Sequence, residues 1–223
     1  MKILHRDDLP LGGFAGLKEH RLVMSPQFFP HVNPGTWPGI AGFAYLADAQ
    51  FNPKGETRLH DHKEIDVISV MVHGRIDHRG SLETGQGLEA GDVQVQRAGG
   101  EGFSHNEINP DDTKNRMLQL WVVPEQAGEQ ASYRLYKPVS GKITRIYGGS
   151  PDQADTLASH TIIEVGHLNP AQTYVLEKPF LAYLAMGKAT ANNTEIQEGD
   201  LFEDEKLSFT AKTAVQLIVI YEI

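Results

Sequence analysis

Three histidines and one glutamate carry the chemistry that is legible in this chain. His60-Asp61-His62 and His105-Asn106-Glu107 each place two metal-ligating side chains two positions apart. On an extended strand, residues i and i+2 project to the same face, about 6–7 Å apart along the chain. Two such pairs on neighbouring strands can converge on one ion. Three imidazoles and one carboxylate suit iron(II), nickel, copper, manganese or zinc. Nothing softer is on offer, because the 223-residue chain has ten histidines and no cysteine. One carboxylate leaves a divalent ion with residual positive charge, which favours an anionic enolate or phenolate ligand. Either tripeptide alone also arises by chance in a histidine-rich chain, so the surrounding framework decides.

The elements that must position these residues read as strands. Asp66–Val72, Asp92–Arg97, Arg116–Val123 and Val215–Tyr221 are β-favourable runs between glycine, proline and Asn/Asp turns. Val93 and Val95 alternate with Gln94 and Gln96, the period of a half-buried strand. No window of fifteen or more residues keeps a helical period; the best helix candidate is residues 151–159. A weak repeat runs through both halves: Gly74 then Leu88-Glu-Ala-Gly91-Asp92-Val93, and Gly187 then Ile196-Gln-Glu-Gly199-Asp200-Leu201. The polar segment Pro124–Ala131 marks a boundary between them.

Composition narrows the classes further. Hydrophobic residues at 40% and charged residues at 22% are near globular averages and exclude a largely disordered chain. A net charge of −9 without a Lys/Arg stripe argues against nucleic-acid binding. The start, MKILHRDDLP, lacks a signal-peptide core, and the apolar run Leu217–Tyr221 is too short to span a membrane. A soluble, cytoplasmic protein is expected. No GxSxG elbow, P-loop, GxGxxG after a strand or HExxH is present. Gly85-Gln-Gly87 and Gly99-Gly-Glu-Gly102 read as turns between strands, and Glu203-Asp204-Glu205 as a solvated loop.

The framework around the histidines resembles the two motifs of the cupin superfamily. His60-x-His62 is followed by Asp66 and Gly74; Gly91, Gly99 and Gly102-Phe-Ser-His105 lead to Asn109. The resemblance is closer to the pirin family of cupins. That family's first motif looks like HPH, a strand, a glycine turn and E-H-R-D-S; here stand His60-Asp-His62 and Gly74-Arg-Ile-Asp77-His78-Arg79-Gly-Ser81. Its second resembles Gly91-Asp-Val-Gln94, then Ala98-Gly-Gly-Glu-Gly102-Phe-Ser-His105-Asn-Glu107, with Leu118-Gln-Leu-Trp-Val122 after it. Residues about 40–125 carry the likeness. Departures are Lys63-Glu64-Ile65-Asp66 where the family has R-G-F-E, and Val95 where it has Trp; these bear on the approach to the site.

The resemblance implies an all-β fold of two tandem jelly-roll cupin barrels, a bicupin. It implies an N-terminal metal-binding cupin over residues 1–125 and a metal-free, structural C-terminal cupin over 130–223, with terminal strands free to cross over. The implied ligands are His60, His62, His105 and Glu107, holding one divalent transition metal: Fe(II) first, with Ni, Cu, Mn or Zn as alternatives. The implied activity is that of pirin-type quercetin 2,3-dioxygenases on a small aromatic, enolic, flavonol-like substrate, with Glu107 as the catalytic residue that takes the substrate proton. The competing readings are a non-catalytic, redox-sensitive regulator that binds a protein partner, and a Lewis-acid isomerase. His78 matches the family pattern and is expected to buttress a turn or strand pair. His5, His20 and His31 are expected in solvent, and His160 and His167 have no accompanying ligand.

Overall fold

The computed structural model describes residues 1–82 and 87–223. Among the described residues the chain forms 21 β-strands and one 3-10 turn at Arg6–Asp8. The fold is all-β and bicupin. No helix among these residues is long and apolar enough to cross a membrane. Residues 151–159 form bends and turns instead of the expected helix, leading into the strand Ser159–Leu168. The Gln153 side chain explains this. Its Oε1 accepts from the Asp155 and Thr156 amides at 2.8 and 2.9 Å, and its Nε2 donates to the Thr156 carbonyl at 3.0 Å. A side chain bonding its own backbone in this way competes with helix formation. Gly85 and Gln86 lie outside the described residues.

The chain divides into two units. The first comprises Leu9–Pro38 and Gly42–Lys137. Its larger sheet runs Ser132–Tyr136, Val93–Arg97, Asp66–His73, Arg116–Val122, Phe43–Phe51, Leu17–Met24, Gly12–Phe14; its smaller sheet runs His60–His62, Phe103–Ile108, Arg75–Gly80, Gly87–Glu89. The second comprises Met1–Asp8, Gly39–Ala41 and Pro138–Ile223. Its sheets run Lys2–His5, Asp200–Asp204, Phe180–Met186, Val215–Glu222, Ser159–Leu168, Lys142–Gly149 and Thr173–Leu176, Leu207–Ala211, Lys188–Ala191, Thr194–Gln197.

Six strands of the larger sheets and all four of the smaller ones follow the same order in the two units, while Gly12–Phe14 at the edge of the first has no counterpart. The repeated glycine turn is the same device in both. The Gly91 amide donates to the Met71 carbonyl at 3.0 Å and the Gly199 amide to the Leu184 carbonyl at 2.8 Å. Asp92 accepts from the Glu89 amide at 3.1 Å, and Asp200 from the Gln197 amide at 2.8 Å. Both glycines sit at positive φ, +91° and +93°, where a Cβ is strained.

The unit limits differ from the expected division at the edges. Chain 132–136 returns to pair with Val93–Arg97, so the first unit extends past 125 to Lys137. Lys2–His5 pairs with Asp200–Glu203 of the second unit. There it holds the edge position that Ser132–Tyr136 holds in the first. His5 accordingly hydrogen-bonds to buried Asp200.

The strand Val93–Arg97 is buried at all five residues, not on alternate ones. Gln94 belongs to a polar row inside the first barrel, and Gln96 to the row beside it. Direct register pairing carries Arg21, Ala47, Gln119, Ser69 and Gln94 across five strands of the larger sheet. The row on one side is Glu19, Ala49, Met117 and Met71; on the other it is Tyr45, Trp121, Val67 and Gln96. Paired residues share a face, so a polar band lies between two largely apolar ones. Met71 and Met117 pack with Phe51, Ile76 and Leu88. Val67 packs with Ile65, Ala98 and Phe103, with Trp121 against them.

Candidate metal centre

Each candidate ligand is placed by its strand. His60 and His62 flank Asp61 on the short strand His60–His62, and His105 and Glu107 share one face of Phe103–Ile108. The two strands are antiparallel neighbours, with His60 opposite His105 and His62 opposite Phe103. A tight approach makes this register feasible. Gly80 stands opposite His105, and a Cβ there would lie 2.9 Å from His105 Cα and 3.0 Å from His105 Cβ.

The three imidazoles meet at their Nε2 atoms. His105 Nε2 is 3.0 Å from both His62 Nε2 and His60 Nε2. One nitrogen atom from each of the three lies within 4.8 Å of the others, as ligands of a single ion would. Two nitrogens held at about 2.1 Å from one ion and at a right angle stand about 3.0 Å apart, so the spacing of His105 from His60 and from His62 suits a shared transition metal. The outer nitrogens are anchored. His60 Nδ1 is 2.9 Å from the Arg58 carbonyl, and His105 Nδ1 is 2.9 Å from His78 Nε2.

Burial keeps His62 and His105 neutral. Burial, and then the charge of His60, pushes His62 down to about 4. His105 is driven down further, by burial first and then by His62, His60 and His78. Neutral imidazoles retain the lone pairs that a metal needs.

The structure places Glu107 outside the triad. Its side chain is 3% exposed, and its Oε1 accepts from Ser69 Oγ of the facing sheet at 3.0 Å. Thr57 brackets its backbone: the Thr57 amide donates to the Glu107 carbonyl, and the Glu107 amide to Thr57 Oγ1, each at 3.0 Å. Burial pushes the Glu107 carboxyl up to about 7, with Ser69 pulling the other way. Glu107 nevertheless lines the same cavity as His60 and His62.

That cavity has a volume of about 300 Å³, at the lower end of the small-molecule range. Its aromatic wall is built from Tyr45, Trp121 and Phe29. Tyr45 and Trp121 have ring centroids 4.6 Å apart; Phe29 stacks on Trp121 at 5.8 Å, with 20° between planes. Trp121 also meets His62 edge-on at 5.5 Å. The polar wall comes from the row described above. Arg21 Nε donates to Glu19 Oε1 at 2.7 Å, and Tyr45 Oη donates to Glu19 Oε2 at 3.3 Å. Burial and then Glu19 push the Tyr45 phenol up, so it stays protonated.

Comparison with known proteins gives this geometry a family. The Pirin family matches residues 28–122. A Zymomonas mobilis protein provisionally named a quercetin 2,3-dioxygenase is 30% identical over 186 residues, covering 78% of this chain and 79% of that one. The chain belongs to the pirin family. A pirin-like protein of Caulobacter vibrioides is also 30% identical, over 78% of this chain and 80% of its own. The fold is that of the bacterial pirin YhhW of Escherichia coli, solved in complex with nickel(II). Its TM-score is 0.83 at 18% identity, covering 98% of this chain and 97% of that one.

Several functional candidates escaped the sequence. Ser69, Gln119, Arg21 and Glu19 lie on strands whose local pattern says only that they alternate with apolar residues. His78, expected to buttress a turn or strand pair, is 1% exposed and hydrogen-bonds directly to His105. His20 is half-buried, with Nδ1 3.1 Å from the Leu9 carbonyl, whereas His31 is exposed as expected. Glu203 and Asp204 end a strand and do not form a free loop: Glu203 pairs with Lys2 at 2.8 Å and Asp204 with the N-terminal amine at 3.0 Å.

In the second unit, the corresponding hairpin places Ala189 and Ala191 where the first has Ile76 and His78, so Phe209, opposite Ala191, stands where Glu107 does. Two residues earlier on that strand Leu207 takes the place of His105, and Leu176 opposite it takes the place of His60. Phe209, Leu207 and Leu176 all pack into that unit's apolar core.

Proposed function

We propose that the chain is a mononuclear metal-dependent dioxygenase acting on a small, flavonol-like enolic substrate. The observation that carries this reading is the convergence of three imidazole Nε2 atoms beside an aromatic-lined cavity. His60, His62 and His105 would hold a divalent metal, with Fe(II) as the native ion, and Glu107, on the same strand face as His105, would supply the carboxylate. A divalent metal supplies Lewis acidity towards an enol oxygen and redox access to dioxygen. The chain's own residues do the rest. Tyr45, Trp121 and Phe29 stack against a planar substrate and exclude water from it. Glu107, steadied by Ser69, takes the proton of the enol hydroxyl at its carboxylate oxygen. Arg21 and Gln119 on the opposite wall offer donors to the substrate's remaining oxygens.

Relatives named as quercetin 2,3-dioxygenase and the nickel complex of a pirin of the same fold support this reading. In it, the unit of Leu9–Pro38 and Gly42–Lys137, set against the expected 1–125, is the metal-binding cupin. The unit of Met1–Asp8, Gly39–Ala41 and Pro138–Ile223, set against the expected 130–223, is metal-free and structural, and the protein works in the cytoplasm. The test is oxygen uptake by protein loaded with Fe(II) or Ni(II) against a panel of flavonols, with carbon monoxide measured as product. Stoichiometric metal without oxygen uptake on any flavonol would overturn the enzymatic reading and leave a metal-binding regulator.

A further inference from the structure

Among the described residues, Arg21 is the one lysine or arginine that lines the cavity beside the histidines. Its guanidinium is held by a brace. Arg21 Nε donates to Glu19 Oε1 at 2.7 Å, and Tyr45 Oη donates to Glu19 Oε2 at 3.3 Å. The Glu19 side chain is 4% exposed and that of Arg21 is 35% exposed. The carboxylate is therefore the buried support, and the cation is the part that meets the cavity. The strand Leu17–Met24 shifts register between Arg21 and Val23, a bulge of the kind that re-aims a side chain beside a site.

A guanidinium has five N–H donors, and the bond to Glu19 uses the one on Nε. The two Nη groups form a planar fork that matches both oxygens of a carboxylate. Pairing with Glu19 does not close Arg21 to a second acid. In the same unit Arg97 holds Asp66 through Nε and Nη2 and also holds Glu129 through Nη1, at 2.7 Å. Alanines leave room for a ligand on this face of the sheet. Ala47 stands opposite Arg21 and Ala49 opposite Glu19, with Gln119 and Met117 on the strand beyond. From the strand of Arg21 to that of Ser69, which bonds Glu107, is three strand spacings, about 14 Å. A ligand that serves both ends is elongated and lies across the alanines.

We propose that Arg21 determines the specificity of this cavity, and that its ligand is a planar aromatic enol with a carboxylate at the end remote from the enol. The Arg21 Nη fork binds that carboxylate, while Glu19 and Tyr45 hold the guanidinium in place. The enol at the histidine end rests on the reading above; the acid at the Arg21 end requires neither metal nor dioxygen.

The test is equilibrium binding to the full chain without added metal, read by quenching of tryptophan fluorescence, because Trp121 lines the cavity. The matched probes are 3-hydroxyflavone and 3-hydroxyflavone-4′-carboxylate, whose acid lies at the end remote from the enol. Wild type should bind the carboxylate at least about tenfold more tightly, as one charge-assisted hydrogen bond allows. Arg21→Met should remove that preference, and Arg21→Lys, which keeps the charge and lacks the fork, should retain only part of it. An undiminished preference in Arg21→Met would overturn the proposal. So would equal binding of the two probes by wild type, or binding of neither. The wild-type ratio needs no variant, so the proposal stays testable if Arg21→Met does not fold. A flavonol panel that gives no oxygen uptake would remove the dioxygenase reading and leave this ratio as it is.

Discussion

At the scale of single residues, the site sets burial against charge, and pH separates the contributions. In the metal-free chain His62 and His78 are each pushed from 6.5 down to about 4, chiefly by burial. A depressed histidine contributes stability that is fully present above its unfolded value and is lost as pH falls through the folded one. The metal-free protein should therefore lose up to about 3 kcal/mol per group between pH 6.5 and 4, read as a falling urea midpoint. Glu107 acts with the opposite sign. Its carboxyl rises from 4.5 to about 7, so its contribution is complete below 4.5 and is lost as pH rises through 7. Glu107→Gln, which is permanently neutral, should raise the urea midpoint of the metal-free protein at pH 8. The same variant should bind metal more weakly and consume no oxygen with a flavonol. His62→Ala should lose metal outright, read by metal analysis of the purified protein; unchanged metal content in both variants would remove these residues from the site.

At the scale of strands, close approach and buried ion pairs hold the ligands in register. Gly80→Ala places a methyl against the backbone of His105, so the strand pair Arg75–Gly80 and Phe103–Ile108 must spread. The expected result is metal affinity at least about tenfold lower with the far-ultraviolet spectrum unchanged, because a displacement of an ångström is costly at a preorganised site. Asp66 and Arg97 stand opposite one another on adjacent strands, joined by Arg97 Nε and Nη2 bonds of 3.0 and 2.8 Å to Asp66 Oδ2. Asp66 is fully buried and Arg97 nearly so. Removing Asp66 leaves the buried Arg97 with Glu129 as its ion-pair partner and its Nε and Nη2 unsatisfied, so Asp66→Ala should cost up to about 3–5 kcal/mol by denaturant titration. Asp66→Leu with Arg97→Met should recover most of that loss, since the one charge it leaves unpaired, Glu129, is part-exposed to solvent.

At the scale of the whole chain, two barrels of shared strand order carry different interiors. The N-terminal strand Lys2–His5 completes the second unit's sheet along Asp200–Glu203. Deleting residues 1–8 should therefore speed amide exchange along Asp200–Asp204 while leaving metal content per chain unchanged. Lost metal with intact exchange protection would contradict that assignment. The almost complete absence of helix should give a far-ultraviolet spectrum with helix far below the globular average of about a third.

The sequence by itself determined the two-barrel β architecture, the repeated glycine turn and the three histidines that meet. Each is written locally: alternate residues of a strand share a face, and Gly91 and Gly199 take a backbone conformation that other residues resist. It resolved less where position depends on strands that are distant in sequence. Ser69 reaches Glu107 across 38 residues and His78 reaches His105 across 27. Gln94 and Gln96 read as the solvent face of a half-buried strand until the facing sheet encloses them. Only tertiary structure decided that Glu107 leans on Ser69, that His78 stands behind His105, and that the first strand joins the second barrel. The reason is physical: local pattern specifies which way a side chain points, but the register between strands specifies what it meets there.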